Sequence, residues 1–369
     1  MHVAILIGRF PPGVVGGAEI QAESWAARLS DRHRVTVITR RDPATQPTHE
    51  SRDGFDVVRV PVSRIPLWRS AADLLAIDRA VRALPVRPHV LLCFQTFVSG
   101  LAGVRTGGAL GIPAIVWIRG EDEYRLGSSR LNRFVSPRVW SAAQRVLVQS
   151  EENRNVLLRE LGTCAPGRLE DVRGKLDVVP NGLDLPQGPF APGGRVLSVG
   201  RLIADKAMDV VIDAAAANRE VLTIAGDGPE RPPLEARARA LGADCRFVGF
   251  AGRTELAALY RDASCVVLAS RRGEGLPNVL LEAMSFARPV VATPCAGTRD
   301  LLEDGVNGLL VPPDDPVALA AALARLRADA ALARRLGEAG RQTVERFAWN
   351  AVRPRLEAVL ERCGDAGDR

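Results

Sequence analysis

Short β-branched runs alternate with helical patterns from one end of the chain to the other, and no other feature narrows the fold so far. The first half offers candidate strands at 3–7, 35–39, 57–60, 90–94, 114–118, 145–149 and 176–179, with helical periodicity between them at 18–29 and 70–83. A Pro and Gly run, Leu185-Pro-Gln-Gly-Pro-Phe-Ala-Pro-Gly-Gly194, then interrupts the pattern as a linker does. Alternation restarts beyond it, with candidate strands at 196–199, 221–225, 245–248, 265–268, 289–292 and 308–311. Strands that alternate with helices build parallel sheets from βαβ units. The expected architecture is α/β, two doubly wound parallel-sheet domains, 1–185 and 186–346, facing across a cleft that would hold a ligand. A helical, arginine-rich stretch at 316–346 breaks at Phe347-Ala-Trp-Asn350, and a last helical pattern follows. This closing helix, 350–363, is expected to leave the second domain and pack on the first.

At 369 residues, 47% hydrophobic and 25% charged, the chain is long enough for a core in each domain. Its cysteines, Cys93, Cys164, Cys245, Cys265, Cys295 and Cys363, are scattered and form no C-x-x-C pair. Several lie in apolar runs, so they read as reduced core residues of a cytoplasmic protein. No apolar run approaches the roughly 20 residues that span a bilayer. The opening His2-Val-Ala-Ile-Leu-Ile7 lacks the length and basic head of a signal peptide, and reads as the first strand.

Net charge is +6, and all of it lies in the first half: residues 1–185 hold 25 Lys and Arg against 19 Asp and Glu, and the remainder holds 24 of each. That excess points to an anionic acceptor, or to peripheral contact with the inner face of a membrane, at the N-terminal half. An arginine-rich composition with solvated faces produces the same count. Nucleic acid fits poorly, because aromatics are only 5% and there is no stacking motif or basic recognition helix.

Candidate chemistry concentrates in Glu274-Gly-Leu-Pro-Asn-Val-Leu-Leu-Glu282. Two carboxylates flank a Gly and a Pro where a loop would turn into a helix, with Glu282 in the first turns and Glu274 just ahead. The backbone N–H groups of such a helix N-terminus suit a phosphate. Acidic acceptors on either side of an anion cradle suit a ligand with hydroxyls on both sides of a diphosphate, and a nucleotide-sugar is one. Lysine usage adds a second clue, since Lys175 and Lys206 are the only two lysines in the chain. Lys206 closes Val199-Gly-Arg-Leu-Ile-Ala-Asp-Lys206, which puts Arg201 and Lys206 on a loop at the carboxyl end of a strand, the usual binding edge of an open α/β sheet. No Asp-x-Asp is arranged as a metal platform, and His2, His33, His49 and His89 have no partner at ligand spacing. Asp227 and Glu230 read as turn residues. No metal or cofactor is therefore expected.

Taken in order, Gly16-Gly-Ala-Glu19, Asn181-Gly-Leu-Asp184, Gly200-Arg-Leu with Lys206, Gly226-Asp-Gly-Pro-Glu230, Val248-Gly-Phe250, Glu274 with Glu282, and Asn307-Gly-Leu-Leu-Val-Pro312 resemble glycosyltransferase family 4 over almost the whole chain. The resemblance implies the GT-B fold of two Rossmann-like domains and a retaining transfer of sugar from a nucleotide-sugar donor to a hydroxyl acceptor. It implies that Arg201 and Lys206, next to Gly200, hold the donor diphosphate and meet the charge that grows as the sugar–phosphate bond breaks, without a metal. Glu274 would accept from sugar hydroxyls and Glu282 from the ribose. The stretch Gly275, Leu276, Pro277, Asn278 and Val279 would line the donor, with backbone N–H groups from 276–279. Gly16 and Gly17 would let backbone approach the diphosphate.

This chain departs from the family pattern in two places. Where members place a His before a Gly, Trp117-Ile-Arg119-Gly-Glu-Asp122 has Arg119, which can bind a hydroxyl or phosphate but cannot act as a base near neutral pH. Glu121 or Asp122 would then orient the acceptor. Asp300 stands where the family usually has Glu. Two other classes stay open: a nucleotide-sugar epimerase, which would convert a donor with no acceptor present, and a non-catalytic nucleotide-sugar-binding module, which would show no turnover. A dehydrogenase reading of Gly8-Arg-Phe-Pro-Pro-Gly13 fails for want of G-x-G-x-x-G. Acceptor choice is expected in the tracts 40–52, 63–69 and 124–138.

Overall fold

The computed structural model describes residues 1–12, 16–61, 69–119, 126, 129–187, 193–272 and 275–367. The chain divides into two compact units, Met1–Gly182 with Asn350–Arg369, and Leu183–Trp349.

The first unit is built on one sheet of eight strands: β1 His2–Leu6, β2 Arg34–Arg40, β3 His49–Arg52, β4 Phe55–Val60, β5 Val90–Phe94, β6 Ala114–Trp117, β7 Arg145–Val148 and β8 Leu176–Val178. Their order across the sheet is β3-β4-β2-β1-β5-β6-β7-β8. Central strands such as His2-Val-Ala-Ile-Leu6 and Val90-Leu-Leu-Cys-Phe94 are buried along their whole length, as a parallel sheet covered on both faces requires. Val3 on β1 stands opposite Val35 on β2 and Val90 on β5. Helix Gly17–Leu29 turns Ala22, Trp25, Ala26 and Leu29 inward, an apolar stripe at helical spacing, with Gln21 buried beside it and donating to Gly182 O at 3.0 Å.

One strand escapes the sequence pattern. β3 runs antiparallel to β4 at the sheet edge, and its His-Glu-Ser-Arg alternates between exposed and half-buried. It has no apolar face to announce it. The closing helix Trp349–Gly367 belongs to this first unit from Asn350 onward. Val352, Leu356, Val359, Leu360 and Cys363 are buried, and Arg353 and Glu357 pair with Asp31 and Arg32.

The second unit carries an all-parallel sheet of β9 Arg195–Val199, β10 Leu222–Ala225, β11 Cys245–Gly249, β12 Ala263–Leu268, β13 Val290–Ala292 and β14 Leu309–Leu310, in the order β11-β10-β9-β12-β13-β14. Helices Met208–Asn218, Pro316–Ala328 and Ala330–Val344 supply Val211, Ile212, Leu319, Leu323 and Leu336 to one core. The stretch 316–346 is two helices rather than one. Asp329 divides them, its side chain accepting from the Leu332 N–H at 2.8 Å as an N-cap.

Candidate active site

Strand order marks where each sheet can bind a ligand. In the second unit, connections from β9 run outward through β10 and β11, whereas β12, β13 and β14 lie on the other side, so the topological switch falls between β9 and β12. Adjacent loops separate there and leave a crevice at the carboxyl ends of the strands. The loop leaving β9 carries Gly200, Arg201 and Lys206, with Arg201 exposed and Lys206 half-buried in a short 3-10 turn, Ala204–Lys206. The loop leaving β12 leads into helix Asn278–Ser285. Both clusters that stand out in the sequence thus flank one switch point.

The two loops are tied together by Arg271, which the sequence does not single out. Its backbone N–H donates to Asp205 O at 2.9 Å, and its guanidinium reaches Ala204 O at 2.6 Å, Asp209 Oδ2 at 2.6 Å and Asp314 Oδ1 at 2.5 Å. The Asp209 carboxylate, with Asp314, raises the Arg271 pKa above its usual value, so the cation is permanent.

Glycine motifs along the neighbouring strand ends support the same loop. Gly226 has φ +140°, and a Cβ there would lie 1.9 Å from Gly200 O; a Cβ on Gly228 would lie 2.4 Å from Leu202 O. Both positions need glycine for backbone to pass over backbone. Hydrogen bonds Gly200 N–H to Ala225 O, Leu202 N–H to Asp227 O and Gly226 N–H to Gly249 O join the ends of β9, β10 and β11. The Gly226-Asp-Gly-Pro-Glu230 segment therefore packs against the backbone on both sides of Arg201, at Gly200 and Leu202. Asp227 accepts from Gly228 N–H at 2.7 Å and pairs with Arg231, as a turn residue does.

Helix Asn278–Ser285 starts with Pro277 as its N-cap, with no side-chain cap. Proline has no N–H, which removes one donor expected of 276–279 and leaves those of Leu276, Asn278 and Val279. Leu276 and Pro277 are buried, while Gly275, Asn278 and Val279 are half-buried. Glu282 lies within this helix and is half-buried, and its Oε2 accepts from the Tyr260 hydroxyl at 2.8 Å. Tyr260 is 1% exposed, and its ring stacks on Phe286 at 5.7 Å. Burial pushes the Glu282 carboxyl up to about 7, against the Tyr260 hydrogen bond and Arg253, which pull it down. Burial and then Glu282 push the Tyr260 phenol well above its ordinary value. Tyr260 stays a donor at every working pH, and only the carboxyl titrates.

In the first unit the switch falls between β1 and β5. The loop after β1 is fastened by Arg40 Nε to Gly8 O at 2.7 Å and Arg59 Nη2 to Pro11 O at 3.1 Å. After β5, Gln95 and the β-branched Val98 sit at φ +77° and +58°, strained positions worth about 1–3 kcal/mol each. Gly16 caps helix Gly17–Leu29 in an extended conformation, φ −119°, open to any residue. What restricts it is space, because a Cβ would lie 2.7 Å from Glu19 Oε2, which accepts the Gly16 N–H at 3.1 Å. An anion arriving at this helix start meets the Glu19 carboxylate. Gly17 is exposed.

Arg119 follows β6 at the same edge. Its guanidinium lies 5.1 Å from the Trp117 ring centre and 5.3 Å from that of Phe94, and Nη2 donates to Asn181 Oδ1 at 2.9 Å. Gln149 Nε2 donates to the same oxygen at 2.9 Å, and Asn181 is buried. Two aromatic faces and a buried amide hold this cation in place. The Asn181-Gly motif acquires a role here that its sequence does not announce. Glu274, Glu121 and Asp122 lie outside the described residues. No group of three or more His, Cys, Asp or Glu among the described residues could hold a metal ion, and no helix among them is long and apolar enough to cross a membrane.

Comparison with known proteins identifies the family and the fold. Residues 15–187 match the model of Glycosyltransferase Family 4, and residues 193–329 that of Glycosyl transferases group 1. An exopolysaccharide phosphotransferase of Streptomyces coelicolor is 32% identical over 94% of this chain, but the chain spans only 39% of that relative's length. A D-inositol 3-phosphate glycosyltransferase of Kribbella flavida is 33% identical, over 91% of this chain and 88% of that one. Among solved structures, Anabaena HepE in complex with UDP-glucose superposes with a TM-score of 0.82 at 20% identity, covering 98% of this chain and all of the other. The fold is GT-B. With both halves matched by family models and a full-length relative at that identity, the chain belongs to glycosyltransferase family 4.

Proposed function

We propose that this chain is a retaining glycosyltransferase that moves a sugar from a UDP- or GDP-sugar to a hydroxyl acceptor, in the biosynthesis of a polysaccharide, a glycolipid or a natural-product glycoside. The observation that carries the reading is the convergence of Arg201, Lys206 and the start of helix Asn278–Ser285 on the switch between β9 and β12. Two cations and a helix N-terminus at one crevice suit a diphosphate, and HepE, a neighbour in fold, is solved with UDP-glucose.

In this mechanism Arg201 and Lys206 take up the charge that develops on the departing diphosphate, so no metal is required. Glu282 accepts from the ribose, and Glu274 from hydroxyls of the donor sugar. Gly200 and Gly275 keep backbone low beside the donor, and Leu276, Asn278 and Val279 contribute N–H groups. Retention follows from front-face attack, in which the donor phosphate oxygen receives the acceptor proton. No strong protein base is then needed. Arg119 binds a sugar hydroxyl or phosphate, and Glu121 or Asp122 orients the acceptor.

Thermal shift against a panel of nucleoside diphosphates tests the donor site. The matching diphosphate at 100 times its Kd raises stability by about 2.7 kcal/mol, and Lys206→Ala removes most of that shift. If no nucleoside diphosphate at millimolar concentration stabilises the protein, the donor reading fails.

A further inference from the structure

The helix Arg130–Ala142 in the first unit presents a surface that donor chemistry does not use. It begins in the connection leaving β6 and contains no acidic residue. Arg130, Arg133, Phe134 and Arg138 line one side of an open cavity of about 490 Å³, and Arg168 lines the other. At 100° per residue, Arg133, Arg130, Phe134, Arg138 and Leu131 fall on one face of the helix. Leu131 and Phe134 are 63% and 59% exposed. The Arg138 guanidinium sits 3.5 Å from the Phe134 ring centre. Glu170 and Asp171, just after Arg168 in the chain, pair with Arg173 and Lys175.

Two features need an explanation. Arginines in the first turns oppose the helix dipole, which favours acidic residues there. Two bulky apolar side chains stand in water on the cationic face, Phe134 among the arginines and Leu131 at its edge. A soluble anion accounts for the arginines but has no use for Leu131 and Phe134. An anionic bilayer accounts for both: guanidiniums meet lipid phosphates while their stems and the two apolar side chains enter the acyl boundary.

We propose that the face formed by Arg130, Leu131, Arg133, Phe134 and Arg138, with Arg168 across the cavity, docks the protein on an anionic phospholipid surface. The helix is short and carries one apolar pair, so the contact is reversible and sensitive to salt. The helix belongs to the connection between β6 and β7 of the first unit.

The test is co-sedimentation of the full chain with vesicles of phosphatidylcholine alone and of phosphatidylcholine with phosphatidylglycerol at three to one. Binding is expected on the anionic vesicles and only weakly on the neutral ones. With Arg130→Gln, Arg133→Gln and Arg138→Gln combined, affinity for the anionic vesicles drops by about a hundredfold, three arginines each contributing about fivefold. Leu131→Ser with Phe134→Ser, at exposed positions that the fold tolerates, abolishes the part of the binding that survives high salt. No binding, equal binding to both vesicles, or undiminished binding of the variants overturns the proposal. So does a thermal shift by millimolar inorganic pyrophosphate that the triple variant loses while vesicles stay unbound, since the face is then a soluble-anion site. No sugar donor is present, so failure here leaves the transferase reading untouched.

Discussion

Replacing Tyr260 with Phe removes one oxygen from a buried ring and should make nucleotide binding depend more steeply on pH. In the structure the Tyr260 hydroxyl donates to Glu282 Oε2 at 2.8 Å, and burial has already pushed that carboxyl up to about 7. The hydrogen bond favours the ionised form. A hydrogen bond to a charged group is worth about 1.5–3 kcal/mol, so its loss should raise the carboxyl pKa by one or more, from about 7 to about 8 or above. If the ionised carboxylate is the form that accepts from the ribose, affinity follows its population. With pKa values of about 7 and about 8, that population falls about ninefold at pH 6, about threefold at pH 7.5, and hardly at all at pH 9. Calorimetric titration of the parent and Tyr260→Phe with the best-binding nucleoside diphosphate at these three pH values measures the ratio. A ratio independent of pH refutes the reasoning, because a merely structural loss shifts every affinity alike. Equal affinities at pH 6 refute it too, since Glu282 then does not contact the nucleotide in its charged form.

The remaining predictions concern the same elements. Glu282 keeps its proton to about pH 7 in the folded protein but loses it near 4.5 when unfolded. Folded protein therefore binds more protons across that window, so the contribution of Glu282 to stability is complete below it and is lost as pH rises through it; Glu282→Gln should flatten this slope in thermal unfolding. Gly226→Ala puts a Cβ 1.9 Å from Gly200 O at φ +140° and should cost about 3 kcal/mol or more, read by urea unfolding; a loss under about 1 kcal/mol would show that the strand-end packing yields. Turnover should survive a chelator unchanged, and a tenfold loss restored by magnesium would overturn the role given to Arg201 and Lys206. Lys206→Ala should lower kcat by about a hundredfold or more with an unchanged melting temperature. Arg119→Lys keeps the charge but loses the planar fork between Trp117, Phe94 and Asn181, and should lower kcat/KM more than stability.

Much of the fold was legible because a doubly wound sheet leaves a strong local signal. Central strands buried on both faces must be apolar throughout, and their helices must carry a stripe at helical spacing, so the alternation appears in the sequence itself. β3 was not legible, because an edge strand facing water needs no apolar face. The division of 316–346 at Asp329 was also hidden, since an N-cap within an arginine-rich run looks like any surface carboxylate.

For the candidate site, the sequence by itself determined the residue types and their order: two lysines in all, one of them in Gly200-Arg-Leu-Ile-Ala-Asp-Lys206, and a helix start bracketed by Glu274 and Glu282. Only the tertiary structure decided that the β9 and β12 loops share a switch point, that Arg271 ties them together, that Tyr260 addresses Glu282, and that Asn181 steadies Arg119. Those partners lie 22 to 67 residues apart along the chain. Spacing in sequence reports the face of a helix or strand, whereas a contact at that separation is set by strand order, which local periodicity does not encode.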